Sequence, residues 1–325
     1  MFNRLGEFVI RWTWADSPWT NVYGLSRTVI ASMLALTLAV NNADILFRPA
    51  AGISEYPQCS TSSISIFCLV PNDYLYLNIV KWIAVLLLVV VASGWRPRIT
   101  GIVQAWIAYS IQASAVTLDG GEQVAMVISI LLLPLTLTDP RRWHWSNLSK
   151  ADYYNSNIYS ALIAKLNLVF IRIQVSIIYF HAFVGKLNEE EWLNGTAVYY
   201  YLNDIMLGSL PFLSNSLNLF LTSKFVVIIT WGTLVIEAMM FIGLFVSKKY
   251  WKYLLYLGML LHSGIAVVIG LYTFSLIMFA ALLLYFRPVE SEINFKSLGG
   301  IKNFNFFNTK KQFSKGGDVE FKRIK

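Results

Sequence analysis

SALIAKLNLVFIRIQVSIIYFHAFVGKLNEEEWLNG, residues 160–195, opens as a long apolar run and closes on a lysine, three glutamates and a tryptophan. A helix needs roughly 20 residues to cross a hydrocarbon core about 30 Å thick, and the stretch 160–185 meets that length. Within it Lys165, Arg172, Tyr179 and Lys186 recur at every seventh position, so they share one helical stripe that drifts only about 20° per step. A segment apolar over the depth of a bilayer but polar along one stripe belongs in a bundle of helices. At 1.5 Å per residue the stripe is roughly 31 Å long. Lys165 is then expected near one interface, Arg172 in the interior and Lys186 near the opposite interface.

The rest of the chain repeats this pattern. Of its 325 residues 56% are hydrophobic and only 14% charged, with mean hydropathy +0.56, a composition outside the range of soluble globular domains. Apolar runs at 21–40, 75–93, 101–118, 122–138, 160–185, 224–246, 252–270 and 271–286 predict an all-α, polytopic transmembrane bundle of about eight spans, and their lengths exclude a transmembrane barrel. Residues 1–20 are not a cleavable signal peptide, because Glu7 and Arg11 interrupt the apolar stretch. They read as an interfacial amphipathic helix with Trp12, Trp14 and Trp19 at headgroup level. A transmembrane domain over 21–288 follows, and then a basic tail over 289–325.

Charge in the connections sets the orientation. One set carries Arg96, Arg98, Arg141, Arg142, Lys150, Lys248, Lys249 and Lys252, and the alternate set carries Asp119, Glu122 and Glu189 to Glu191. The basic set is expected inside, and with eight spans both termini are inside too. The net charge of +8 therefore points to an anionic lipid surface and away from nucleic acid. Cys59 and Cys68 both fall in loop 41–74, outside by this topology, where a disulfide is permitted. Two free thiols are the alternative; confinement to one exterior loop favours the bridge.

Ionisable groups inside spans are costly and tend to face protein-lined cavities. Glu237 and His262 each lie about ten residues from the connection 247–252, near the midplane by helical rise, so they can meet each other or Arg172. Arg172 and Glu237 can equally form a packing ion pair without chemistry, and His262 can be a hydrogen-bonded core histidine. Lys186, beside the acidic stretch, is the reactive candidate, and Trp192 is expected to bind substrate. His181 and Arg27 read as interfacial. In the glycine turn 117–123, Asp119 and Glu122 serve either as a solvated cap or as part of an outward-facing, substrate-binding site. No nucleophile-elbow motif occurs, and the dispersed His144, His181 and His262 give no metal-ligand spacing, so no metal is expected.

Several motifs carry a resemblance. SPWTNVYGLSRTVIASMLAL (17–36), with Gly24 and Arg27, resembles the first span of HTTM-domain proteins. GWRPRITG (94–101), LDGGEQ (118–123), LPLTLTDPRRWHW (133–145) and IQVSIIYFHAFVGKLNEEEWLNGTAVYYYL (173–202) are together similar to the sporulation-delaying-protein B (SdpB) branch. The wider HTTM family includes vitamin K-dependent gamma-glutamyl carboxylase. There a lysine in a segment similar to 179–195 is the base that deprotonates the hydroquinone; by motif it matches Lys186. His262, in LLHSG, matches a carboxylase histidine, Glu237 stands where the carboxylase has aspartate, and the region of Glu122 replaces another histidine. The resemblance implies a multi-pass protein of the bacterial cytoplasmic membrane that helps mature a secreted antimicrobial peptide similar to the SdpC precursor. It also implies a cytosolic partner similar to SdpA. An enzyme acting on a quinol or on the peptide, with Lys186 as base and Arg172, Glu237 and His262 relaying protons, stays open. So does a non-catalytic chaperone, immunity or transport component.

Overall fold

The structure, a computed structural model, describes residues 2–49, 55–59, 64–146, 148–204, 208–288 and 292–293. Apart from one bridge between Trp95 and Trp143, these residues form helices and turns, with no strand among them. The first half comprises α1 (Phe2–Ala15), α2 (Asn21–Val40), α3 (Ala43–Leu46), α4 (Tyr74–Ser93), α5 (Pro97–Ser114), α6 (Gly120–Leu131) and α7 (Leu133–Thr138). The second comprises α8 (Lys150–Tyr154), the long α9 (Ile158–Leu187), α10 (Glu190–Leu193), α11 (Ala197–Leu202), α12 (Pro211–Leu221), α13 (Phe225–Ile242), α14 (Trp251–Ile269) and α15 (Tyr272–Phe286).

Six segments are long and apolar enough to cross a membrane: Asn21–Val40, Tyr74–Ser93, Gly120–Thr138, Ile158–Leu187, Phe225–Ile242 and Lys248–Ile269. The fold is an all-α membrane bundle with six clear spans where eight were expected. The other two expected spans are helical as well. α5 is less apolar, carrying Arg98, Gln104 and Gln112, and the 15 residues of α15 rise only about 22 Å.

Local chemistry sets the ends. The Asp73 carboxylate accepts the Leu75 N–H at the start of α4. Gly94, at φ 87°, ends that helix in the left-handed conformation that glycine adopts without strain, and Pro97 occupies the first turn of α5. The α6–α7 break falls beside Pro134, which has no N–H to continue the ladder. α15 is buried almost all round, from Ile277 to Phe286, and packs against α2, α6, α9 and α14. A helix apolar on every face belongs at the centre of a bundle. α2 packs on α4, and α9 lies between α7 and α13. Where α2 begins, Asn21 pairs with the backbone of Ile293. Its Nδ2 donates to the Ile293 carbonyl and its Oδ1 accepts the Ile293 N–H, each at 2.8 Å.

α1 lies against α9 and exposes Leu5 and Phe8. Trp12 and Trp14 are half-buried, but Trp19 departs from the expected headgroup position: it is buried against Tyr153. Arg27, expected at the interface, is fully buried as well. In the loop before α4, Cys59 and Cys68 are joined by a disulfide with Cα atoms 5.8 Å apart. Apart from residues 292 and 293, the expected basic tail beyond 288 lies outside the described residues.

Candidate functional site

Two clusters of buried polar groups occupy the bundle. The first gathers around Lys186. In a helix each Cα–Cβ bond leans toward the N-terminus, and the Lys186 stem follows that lean, so its ammonium turns back into the bundle near the end of α9. Nζ lies 2.7 Å from Glu237 Oε1 on α13, 3.4 Å from the Ala182 carbonyl, and 5.2 Å from the centre of the Trp192 ring. One turn and more below, the Tyr179 hydroxyl is 2.9 Å from His262 Nε2 on α14. The pairs are neighbours, since Tyr179 and Lys186 lie seven residues apart on one face of α9, about 10 Å along its axis. Glu237, His262, Tyr179 and Trp192 are all buried.

The cluster is not satisfied. Glu237 Oε2 and His262 Nδ1 are buried with no hydrogen-bond partner among the described residues. A buried polar atom without a partner costs about 1–3 kcal/mol, so a site holding two of them offers both to whatever can bind there.

Phe274 links this cluster to the glycine turn at the start of α6. Its ring meets His262 edge-on at 5.5 Å, and its backbone packs so closely on Gly121 that a Cβ there would lie 2.8 Å from Phe274 Cα. Asp119 and Glu122 themselves form a capping box: Asp119 Oδ1 accepts the Gly121 N–H at 2.6 Å and Glu122 Oε2 accepts the Asp119 N–H at 3.2 Å. Glu122 Oε1 accepts from the Thr37 hydroxyl at 2.9 Å. One Glu122 oxygen thus caps the start of α6 and the other ties it to α2, a structural role, though a buried one beside the cluster.

Arg172 is not brought to Glu237 or His262. Its guanidinium stacks 3.8 Å over Trp251 and donates to the Tyr285 carbonyl at 2.9 Å, level with the turn between α13 and α14. Counting residues misplaces it, because depth along α9 does not say which neighbour the side chain faces, and Arg172 faces Trp251 and Tyr285. The seven-residue stripe therefore divides. Lys165 and Arg172 serve one end of α9, and Tyr179 and Lys186 serve the other. His181 is exposed, against Phe180. Tyr179, on the stripe yet not singled out as a site residue, and Phe274 were missed; the heptad spacing was the signal for Tyr179, and Phe274 left none.

The second cluster is a clasp. Segment 94–96 pairs with 142–144, as Arg96 N–H donates to the Arg142 carbonyl at 2.7 Å and His144 N–H to the Gly94 carbonyl at 3.0 Å. Inside it Arg141 holds Asp139 through Nε at 2.9 Å and a terminal nitrogen at 2.8 Å, and the Tyr23 hydroxyl donates to the same carboxylate. Arg27 donates to Gln104 at 2.9 Å and to Thr100 at 2.6 Å, and faces His144 Nδ1 at 3.4 Å. His144 is packed so tightly that a Cβ on Gly94 would fall 2.4 Å from Nε2. Burial, together with the charges of Arg27 and Arg141, lowers the His144 pKa to about 2, so the imidazole is neutral. Three of the motifs that carry the family resemblance meet in this clasp.

The chain is 43% identical over 295 residues to YitO of Bacillus subtilis (strain 168), an uncharacterized protein, covering 91% of this chain and 94% of that one. It is 35% identical over 307 residues to sporulation-delaying protein SdpB of the same organism, covering 94% of this chain and 93% of that protein. No family model and no solved structure matches.

Proposed function

The chain belongs to the SdpB family, and from that premise we propose that it matures a secreted, SdpC-like peptide toxin in the bacterial cytoplasmic membrane, with an SdpA-like cytosolic partner. The working site in this reading is the cluster of Lys186, Glu237, Tyr179 and His262 under Trp192. The observation that carries it is the pair of unanswered buried atoms, Glu237 Oε2 and His262 Nδ1, beside a lysine. Both belong to ionisable side chains deep in an apolar interior, where an unpaired polar atom is a cost.

The chemistry available is proton handling. Lys186 Nζ donates to Glu237 Oε1 at 2.7 Å, so a proton can pass between the two along that contact. His262 shares a hydrogen bond with Tyr179, which places two groups able to carry a proton beside that pair. A quinol, the cofactor that the HTTM resemblance implies, would supply electrons and protons. The chain's own contribution is an acceptor in Glu237 Oε2 and a ring nitrogen in His262 Nδ1, groups of the kind that hold a hydroxyl.

A second reading is favoured by the ion pair itself. Lys186 and Glu237 tie α9 to α13, which suits a non-catalytic chaperone, immunity or transport component. Mass spectrometry of the peptide made with and without this protein separates the two, because maturation by covalent change alters the mass. Lys186→Arg sharpens the result: it keeps the ion pair but supplies no neutral base near pH 7. Loss of the mass change at matched protein level supports proton handling. An unmodified peptide in both strains, or full activity of the arginine variant, removes it.

A further inference from the structure

The contact between Tyr179 and His262 fixes more than the place of the imidazole. Both side chains are buried, Tyr179 at 2% and His262 at 4% exposure. The phenol oxygen lies 2.9 Å from Nε2, and the Phe274 ring meets the imidazole edge-on at 5.5 Å, so α9 and α15 both hold the ring. Nδ1, the other ring nitrogen, has no hydrogen-bond partner among the described residues.

A neutral imidazole carries one N–H, on either nitrogen. With the proton on Nε2, that nitrogen donates to the phenol oxygen. The Tyr179 O–H is then a buried donor with no acceptor among the described residues, and Nδ1 is a buried acceptor with no donor. Two groups go unanswered, and each is a cost in an apolar interior. With the proton on Nδ1, the Tyr179 O–H donates to Nε2 and only the Nδ1 N–H is left over. An imidazolium carries a hydrogen on Nδ1 as well. Nδ1 is bare only in the costlier arrangement.

We propose that Tyr179 is a positioning residue that keeps a proton on His262 Nδ1, so that the imidazole meets a bound group as a hydrogen-bond donor. This role rests on the working site proposed above and sets its polarity: His262 Nδ1 donates, and Glu237 Oε2 accepts. The atom received at His262 is an acceptor oxygen, and an ammonium, which only donates, is turned away from that nitrogen.

The test is nuclear magnetic resonance of the full chain, purified in detergent with ring-labelled histidine. The chain has three histidines, and the His262 signal is the one lost in His262→Gln; should that variant not fold, cross-relaxation with the Tyr179 ring identifies it. A hydrogen bonded directly to Nδ1 is the expected result. A neutral ring protonated on Nε2 overturns the proposal, and this spectrum of the unaltered chain decides even where no variant folds. Tyr179→Phe keeps the ring and removes the hydroxyl. It should release the proton to Nε2 and slow peptide maturation about tenfold at matched protein level, the effect of one hydrogen bond of ordinary strength. A folded Tyr179→Phe chain with Nδ1 still protonated in the neutral ring overturns the positioning role, since a tyrosine that only packs would leave the tautomer as it is. The tautomer is read without the peptide, so the two readings fail separately. Protonation on Nε2 beside an intact mass change removes this role alone, whereas a peptide of unaltered mass beside an Nδ1-protonated ring removes the maturation chemistry alone.

Discussion

The clasp and the Lys186 cluster are built from the same kinds of side chain and end in opposite conditions. In the clasp Arg141 saturates Asp139 from two sides, Tyr23 adds a third contact, and Arg27 finds Gln104 and Thr100. In the cluster a carboxylate oxygen and an imidazole nitrogen remain unanswered. Closed networks in a low-dielectric interior fix one arrangement, and open ones hold capacity in reserve. Burial of charge alone does not tell a working site from a structural one.

The largest effect should come from opening the clasp. Asp139→Asn leaves the buried Arg141 guanidinium without its carboxylate, and breaking a buried pair costs about 3–5 kcal/mol. The variant should be nearly absent from the membrane fraction by immunoblot; a normal level would show that the clasp is dispensable. Gly94→Ala adds a Cβ against His144 at a positive φ, with backbone strain of about 1–3 kcal/mol before the collision is counted, and should lower the unfolding midpoint measured in detergent.

pH gives the next test. The folded state holds His144 neutral down to about pH 2, whereas the unfolded chain protonates it near pH 6.5. Its contribution is therefore complete above pH 6.5 and is lost as pH falls, by up to about 1.4 kcal/mol per pH unit. Unfolding midpoints of the wild type and His144→Gln should converge on acidification, and parallel curves would remove the neutral histidine. The smallest effect on stability should come from the cluster. Removing both charges as Lys186→Met with Glu237→Leu should leave stability within about 1 kcal/mol, because a buried ion pair is often replaceable by packed apolar groups. Toxin maturation should nonetheless be lost. Lys186→Ala alone, which strands Glu237, should be less stable than the double variant, and the reverse order would mean that the pair does not couple.

Helix positions were legible because long apolar runs with charged or glycine-marked ends leave little freedom: 75–93 became Tyr74–Ser93 and 252–270 became Trp251–Ile269. Glu237 and His262 stood out as polar positions in apolar helices. Their partners did not, because counting residues gives depth along a helix but not the direction a residue faces, nor how far a four-carbon stem folds back. The link from Lys186 to Glu237 needed that fold-back, and Arg172 was misjudged because its stem carries the guanidinium over Trp251, away from Glu237 and His262. The clasp was hidden for a different reason. Asp139, Arg141 and His144 lie in a connection that reads as a polar loop, and no periodicity announces that a loop is buried.

The two hydrogen bonds between Asn21 and Ile293 close the chain into a ring. Residue 21 is where the bundle is entered and residue 293 lies just beyond its last helix, yet the two are in contact. The helices between them are links of a loop fastened by one clip, and loosening that clip by Asn21→Ala frees the start of α2 and the segment after α15 together.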